Sequence, residues 1–288
     1  MVGYASQDQL REPAVFQQIM ARTHQITTEQ IREHYDSLAL VYRAFWGDHI
    51  HHGFFCDSES PSTAQIKTLS HCVGIAGLRG GEEILDVGCG HGGTLIYLAQ
   101  TLDCSGTGIT ISPAQARIAN AHAERAHLGE NVRVLVGNAD CFPFPANAFD
   151  VVWVMESSEH FLDKQVFFRN VASTLGPGGK LLLAAWTGSM DYPRVAEVAR
   201  IFLCPELWTA EQYESAIESA GMRVTCCEDL SANVIRTWEV CRERVAMAKP
   251  VLKLMPRAVQ EFAAGMDLIL EAYRSGDLTY TVMSAVAS

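Results

Sequence analysis

The sequence predicts an α/β chain built on a doubly wound, seven-stranded, mostly parallel sheet with helices on both faces. Three observations carry this. Seven short apolar or β-branched runs recur between residues 83 and 287. Helical stretches of roughly ten residues or more separate most of them, which demands crossover connections and hence parallel pairing. A glycine-rich turn, Gly88-x-Gly90-x-x-Gly93, joins the first run to the first of those helices.

The elements follow in order. Residues 1–26 form an N-terminal extension in which Asp8–His24 carries Leu10, Phe16, Ile19 and Met20 at helical spacing. Its apolar face is expected to dock on a neighbouring subunit, giving a homo-oligomer. Residues 27–80 form a helical lid. Thr27-Thr28-Glu29-Gln30 is an N-cap signal, and the helix it opens runs through Ile31, Tyr35, Leu38 and Tyr42. An aromatic, histidine-rich loop follows, from Phe45 to Phe55. Residues 81–288 form the core. Strands are expected at Glu83–Val87, Gly106–Thr110, Val132–Val136, Phe149–Met155, Lys180–Trp186, Met222–Asp229 and Leu278–Ala287, the last antiparallel. Helices are expected from Thr94, over Ser112–Ala126, over Phe161–Leu175 with a stop at Gly176-Pro177-Gly178-Gly179, and over Thr209–Ala220. A helical insertion at about 232–274 precedes the last strand, broken by Pro250 and Pro256.

Composition narrows the function. The 288 residues are 48% hydrophobic, enough for a sizeable core without disulfides, and the net charge of -11 opposes a phosphate backbone. No nucleic-acid partner is expected. The nine cysteines are scattered, with no C-x-x-C pair, which points to a reducing compartment. There is no signal-peptide pattern and no apolar run near the roughly 18 residues of a membrane span, so a cytoplasmic protein is expected.

The glycine turn suits a ligand because glycines allow close backbone approach and helix N-terminal amides face outward. Its pattern fits dinucleotide enzymes and S-adenosylmethionine enzymes alike. Asp86, just before the glycines, favours a cationic ligand group over a pyrophosphate. The second strand ends in Gly108-Ile109-Thr110-Ile111-Ser112, without the acid that nicotinamide dinucleotide binders place there for the ribose.

These residues resemble a known family. Asp86-Val87-Gly88-Cys89-Gly90 is similar to the signature of class I S-adenosylmethionine-dependent methyltransferases. Narrower stretches resemble the tocopherol methyltransferase group and its natural-product relatives, among them terpenoid-indole C-methyltransferases of the teleocidin kind. They are Trp46-Gly47-Asp48-His49-Ile50-His51-His52-Gly53-Phe54, Gly108–Gln115, and Met155-Glu156-Ser157-Ser158-Glu159-His160. The resemblance covers about residues 30 to 288. It implies a Rossmann-like fold and S-adenosylmethionine as cofactor. The cofactor would be held by Tyr35, Asp86, Gly88, Cys89, Gly90, Thr110, Ile111, Gln115, Asn138, Ala139 and Glu156. Asn138 stands where the family places an acid near the adenine, so that role keeps less charge.

Methyl transfer needs alignment and exclusion of water, and a base only where the acceptor loses a proton. His160 is the candidate base, with Glu159 or Glu156 as orienter or charge stabiliser; a histidine that merely bonds a loop is the plainer reading. Tyr42, His51, His52, Phe54, Trp186 and Tyr192 are candidate acceptor contacts, and ordinary core packing competes for several of them. The His49-x-His51-His52 cluster lacks further ligands at convincing spacing, so no metal is expected. The aromatic supply suits a small hydrophobic metabolite, prenylated, terpenoid or aromatic, methylated on carbon in preference to nitrogen or oxygen, with terpene cyclisation as a coupled outcome. N- or O-methylation of an alkaloid or phenol, and a non-methylating binder or cyclase on the same fold, are the competing readings.

Overall fold

A computed structural model describes residues 10, 12–255 and 257–288. Its strands are β1 (Glu83–Val87), β2 (Ser105–Thr110), β3 (Val132–Val136), β4 (Phe149–Met155), β5 (Leu175–Gly188), β6 (Met222–Asp229) and β7 (Leu278–Ala287). They form one sheet in the order β3-β2-β1-β4-β5-β7-β6. Strands β1 to β5 pair in parallel, and β7 lies antiparallel between β5 and β6. The chain winds outward from β1 to β3, then returns to the other side of β1 as β4. That reversal opens a crevice beyond the carboxyl ends of β1 and β4, where open α/β sheets bind ligands.

Both faces of the sheet are covered. Along β4, Val151, Trp153 and Met155 enter one apolar cluster and Val152 and Val154 the other, the two-residue alternation of a strand buried on both sides. The described helices are α1 (Pro13–Thr23), α2 (Thr28–Trp46), α3 (Pro61–Ala76), α4 (Gly93–Leu102), α5 (Pro113–Arg125), α6 (Lys164–Thr174), α7 (Pro193–Ile201), α8 (Ala210–Ser219), α9 (Ser231–Leu252) and α10 (Arg257–Ser275). Capping boxes start two of them: Thr27 with Gln30 opens α2, and Thr209 with Gln212 opens α8.

Several expectations need correction. The helix expected from Phe161 begins at Lys164, because Ser158–His160 forms a tight 3-10 turn and Asp163 supplies the cap. Gly176-Pro177-Gly178-Gly179 lies inside β5. The pairing jumps from Phe149–Leu175 to Val151–Lys180, so these four residues bulge from the strand. Pro250 does not break α9, which runs to Leu252; near a helix end the missing N–H removes only one of the last bonds. Pro256 lies outside the described residues. Helices α3 and α7, each opened by a proline in its first turn, complete the lid and core.

Of the extension, residues 1–9 and Arg11 fall outside the described residues. The apolar face assigned to a subunit contact is covered here by the same chain. Leu10 and Ile19 pack with Ala196 of α7 and, more loosely, with Met190 and Leu268.

Candidate active site

The turn after β1 is shaped by two close approaches. Gly88 has φ +80°, and a Cβ there would sit 2.3 Å from that of Ser157. A Cβ on Gly93 would sit 2.4 Å from the Asp48 carbonyl oxygen, so the lid loop can rest directly on the start of α4. Ser157 Oγ donates to the Val87 carbonyl at 2.6 Å and ties the ends of β4 and β1 together.

A cavity with about 1000 Å³ of empty space opens over this turn. All eleven residues expected to hold the cofactor line it, from Tyr35 on α2 to Asn138 and Ala139 after β3. Asp86 is buried, its Oδ2 has no partner among the described residues, and burial raises its carboxyl to about 7. An orphaned carboxylate oxygen on this wall suits an ammonium group. At the other end, Thr110 Oγ1 donates to Gln115 Oε1 at 2.7 Å, and Ser112 caps α5. Asp36 of the lid accepts from Ser112 Oγ and from the Ala114 backbone N–H, docking α2 on the first turn of α5. The residues present therefore fit an amino-acid-bearing nucleoside.

A second cavity, with about 570 Å³ of empty space, lies deeper under the lid. It shares Tyr35, Ile50, His51, Glu156 and His160 with the first. Its remaining wall is largely aromatic: Tyr42 and Trp46 from α2, Trp186 from β5, Phe202, Trp238 and Phe262. Trp186, Phe202 and Trp238 meet edge to face at 5.3 to 5.6 Å between centroids. Beyond Tyr42, Trp46 and Phe262, a third, narrower cavity continues between α2, α9 and α10.

The shared wall brings the titratable candidates together. Burial lowers His160 to about 4, so its ring is neutral. Its Nδ1 lies 3.0 Å from the Leu203 carbonyl, which only accepts, so Nδ1 carries the hydrogen. Nε2 is then a lone pair, and the Tyr35 hydroxyl donates to it at 2.6 Å. Burial holds the Tyr35 phenol well above its ordinary range, hence protonated.

Glu156 has φ +51°, and this turn at the end of β4 folds its carboxylate toward the lid. Oε1 accepts from the His52 N–H at 2.6 Å and the Tyr280 hydroxyl at 2.9 Å. Oε2 accepts from His52 Nδ1 at 2.8 Å and Trp186 Nε1 at 3.3 Å. Burial pushes this carboxyl up, but His52 and His51 outweigh it and hold it below its usual range. Glu159 differs: Oε1 accepts from the Trp186 N–H at 2.7 Å, Oε2 has no partner among the described residues, and burial raises it to about 7.

The structure thus gathers Tyr42, His51, His52, Trp186, Glu156, Glu159 and His160 on one cavity wall. It places two candidates elsewhere. Phe54 stacks on His71 at 4.9 Å over a separate shallow hollow, held there by its N–H bond to the Ala64 carbonyl. Tyr192 is 53% exposed at the N-cap of α7. The sequence reading missed Asp36, Phe202, Trp238 and Phe262 as wall or docking residues, whereas Trp46 belongs to the aromatic stretch it singled out and does line the cavity. Tyr35, Tyr42 and Trp46 sit seven and four apart on one face of α2, a spacing that carried the signal for Trp46. Trp238 and Phe262 reach the cavity only through the placement of α9 and α10, and Phe202 through the end of α7. Among the described residues, no group of three or more metal-ligating side chains is arranged to hold a metal ion.

Comparison with known proteins supplies the family. The profile described as mycolic acid cyclopropane synthetase matches residues 22–276. Tocopherol O-methyltransferase of Arabidopsis thaliana is 28% identical over 88% of this chain and 80% of its own length. The 27-O-demethylrifamycin SV methyltransferase of Amycolatopsis mediterranei is 32% identical over 76% of this chain and 82% of its own. The solved cyclopropane synthase MmaA2 of Mycobacterium tuberculosis superposes with a TM-score of 0.80 at 21% identity, covering 90% of this chain and 98% of that one, which bears on fold alone. The chain belongs to the cyclopropane-synthetase family of class I methyltransferases and is an enzyme that uses S-adenosylmethionine.

Proposed function

We propose that the enzyme methylates a small, largely apolar metabolite at carbon. The observation that carries this reading is the aromatic cavity abutting the cofactor cavity across Tyr35, Ile50, His51, Glu156 and His160. S-adenosylmethionine supplies an electrophilic methyl on a sulfonium. Asp86 would hold the ammonium end, and Gly88, Cys89 and Gly90 the backbone cradle. Thr110, Ile111, Gln115, Asn138 and Ala139 would meet the adenosine. Tyr35 and the lid loop exclude water from the transfer path.

The acceptor lies in the second cavity, with an aliphatic part free to extend into the third. Methylating an alkene carbon leaves a cation. Trp186, Trp238 and Phe202 offer it π faces, and the buried Glu156 carboxylate offers negative charge. His160 Nε2 then accepts the proton lost, directly or through the Tyr35 hydroxyl. Steering of that cation by the aromatic wall would permit cyclisation of a terpenoid chain.

O-methylation of a phenol is the second reading. The Tyr35–His160 contact would serve equally to take a hydroxyl proton, and the two relatives above are named as a tocopherol O-methyltransferase and a 27-O-demethylrifamycin SV methyltransferase. The deciding experiment incubates the protein with trideuteromethyl-labelled S-adenosylmethionine and a panel of prenylated, phenolic and alkaloid acceptors. A product whose fragments place the label on carbon supports the proposal. Label on oxygen or nitrogen replaces it with the second reading. Cofactor binding with no labelled product from any acceptor points to a non-methylating binder or cyclase.

A further inference from the structure

We propose that Lys164 and the backbone carbonyl of Leu203 lock the tautomer of His160, so that Lys164 is a positioning residue for the reaction. The kinetic part of this rests on His160 acting as base, as proposed above; the structural part does not.

Lys164 is a charged side chain in a costly place. It is 3% exposed and occupies the first turn of α6, where the helix dipole disfavours a cation. Among the described residues it makes no ion pair with a carboxylate. Helix stability therefore does not account for it. Its Nζ donates to two backbone carbonyls, Phe161 at 3.2 Å and Glu206 at 2.8 Å, and lies 5.5 Å from the centre of the Trp208 ring. Phe161 follows His160 in the chain, and Glu206 lies three residues after Leu203. One ammonium thus staples together the two segments whose contact is the His160–Leu203 hydrogen bond.

Leu203 itself is held in the left-handed region, φ +55°, just past the end of α7. Glycine is the usual residue there, because a branched side chain in that conformation is strained. The next residue, Cys204, returns its N–H to the Ala199 carbonyl at 2.8 Å, completing the helix terminus. The Leu203 carbonyl accepts from His160 Nδ1 at 3.0 Å. With a neutral ring and Nδ1 protonated, Nε2 presents only a lone pair toward Tyr35 and the shared wall. The other tautomer would donate from Nε2 and could accept no proton from either cavity. Releasing the staple lets the 203–206 segment drift and removes the reason for one tautomer to prevail.

The experiment labels histidine with nitrogen-15 and records the ring nitrogens in the wild type, Lys164→Met and Lys164→Gln, with His160→Asn to assign the signal. The wild type is expected to show His160 protonated at Nδ1. Both lysine variants are expected to show a mixture, and a kcat about tenfold lower with KM for S-adenosylmethionine changed by less than about twofold. A wild-type ring protonated at Nε2 overturns the proposal, even if Lys164→Met does not fold. Unchanged tautomer and kcat in a folded lysine variant also overturn it. Full turnover by His160→Asn sinks the base reading alone, since the spectral result does not pass through the chemistry.

Discussion

At the scale of residues, the two glutamates of the Glu-Ser-Ser-Glu-His motif are set apart by their partners. Glu156 accepts four hydrogen bonds, and Glu159 keeps one oxygen bare. Glu156→Ala leaves His52 Nδ1, the His52 N–H, Trp186 Nε1 and the Tyr280 hydroxyl without their acceptor. A loss of about 3–5 kcal/mol in chemical denaturation is expected, with Glu156→Gln milder. Asp86 gives a pH signature. Its carboxyl is raised by burial to about 7, so the folded chain holds that proton more tightly than the unfolded chain. Its contribution to stability is therefore present at low pH and declines as pH rises toward that value. A ligand ammonium favours the ionised form, so affinity for S-adenosylhomocysteine is expected to strengthen between about pH 6 and pH 8. Calorimetric titration should show Asp86→Asn binding weakly at both ends without this dependence.

Sequence pattern located Asp86, Glu156 and His160 because each sits beside an element boundary with a recognisable signature. It could not distinguish the two glutamates, since their burial depends on Trp186 and Tyr280, distant in the chain. Nor could it find Leu203, whose role belongs to a carbonyl and leaves no mark on side-chain identity.

At the scale of elements, α2 is the part that makes two cavities out of one crevice. Tyr35 and Tyr42 face inward, their rings stacked at 5.7 Å, while Asp36 docks the helix on α5. Asp36→Ala should loosen the lid without touching the cofactor cavity. The expected outcome is faster amide hydrogen exchange over residues 28–46 and uncoupled hydrolysis or slower turnover, with the melting temperature changed little. Tyr42→Ala or Phe262→Ala should instead widen the passage to the third cavity and shift preference toward longer apolar acceptors, read from competition between chain lengths. The β–α alternation from β1 through β2 to β3 was legible because a helix opens soon after each of the first two strands; no described helix stands between β3 and β4. The bulge in β5 was not, since Gly176-Pro177-Gly178-Gly179 carries every local mark of a turn. Only pairing of Leu175 with Phe149 makes it part of a strand.

At the scale of the whole molecule, the sheet order sets where chemistry can occur, and the helices of the lid and the insertion decide what is admitted. The parallel part of the sheet followed from the crossover pattern; the antiparallel last strand did not, and was expected only with the family resemblance. How α9 and α10 pack over the sheet did not follow either, because amphipathic helices specify a buried face without naming its partner. The extension is a test of the same point. Removing residues 1–26 uncovers Ala196, Met190 and Leu268. A lower melting temperature is expected, and solution mass measured on both forms decides whether this helix also joins subunits; an unchanged mass rejects that.

The carboxylate of Glu156 is enclosed by His52 from the lid, Trp186 from β5 and Tyr280 from β7, the strand of this sheet that is synthesised after the other six. The nucleoside side of the crevice is complete in the chain by Phe161. The acceptor side waits for β7 to insert between β5 and β6. During synthesis, then, the cofactor half can take shape first, and the reaction chamber closes only with the final ten-residue strand.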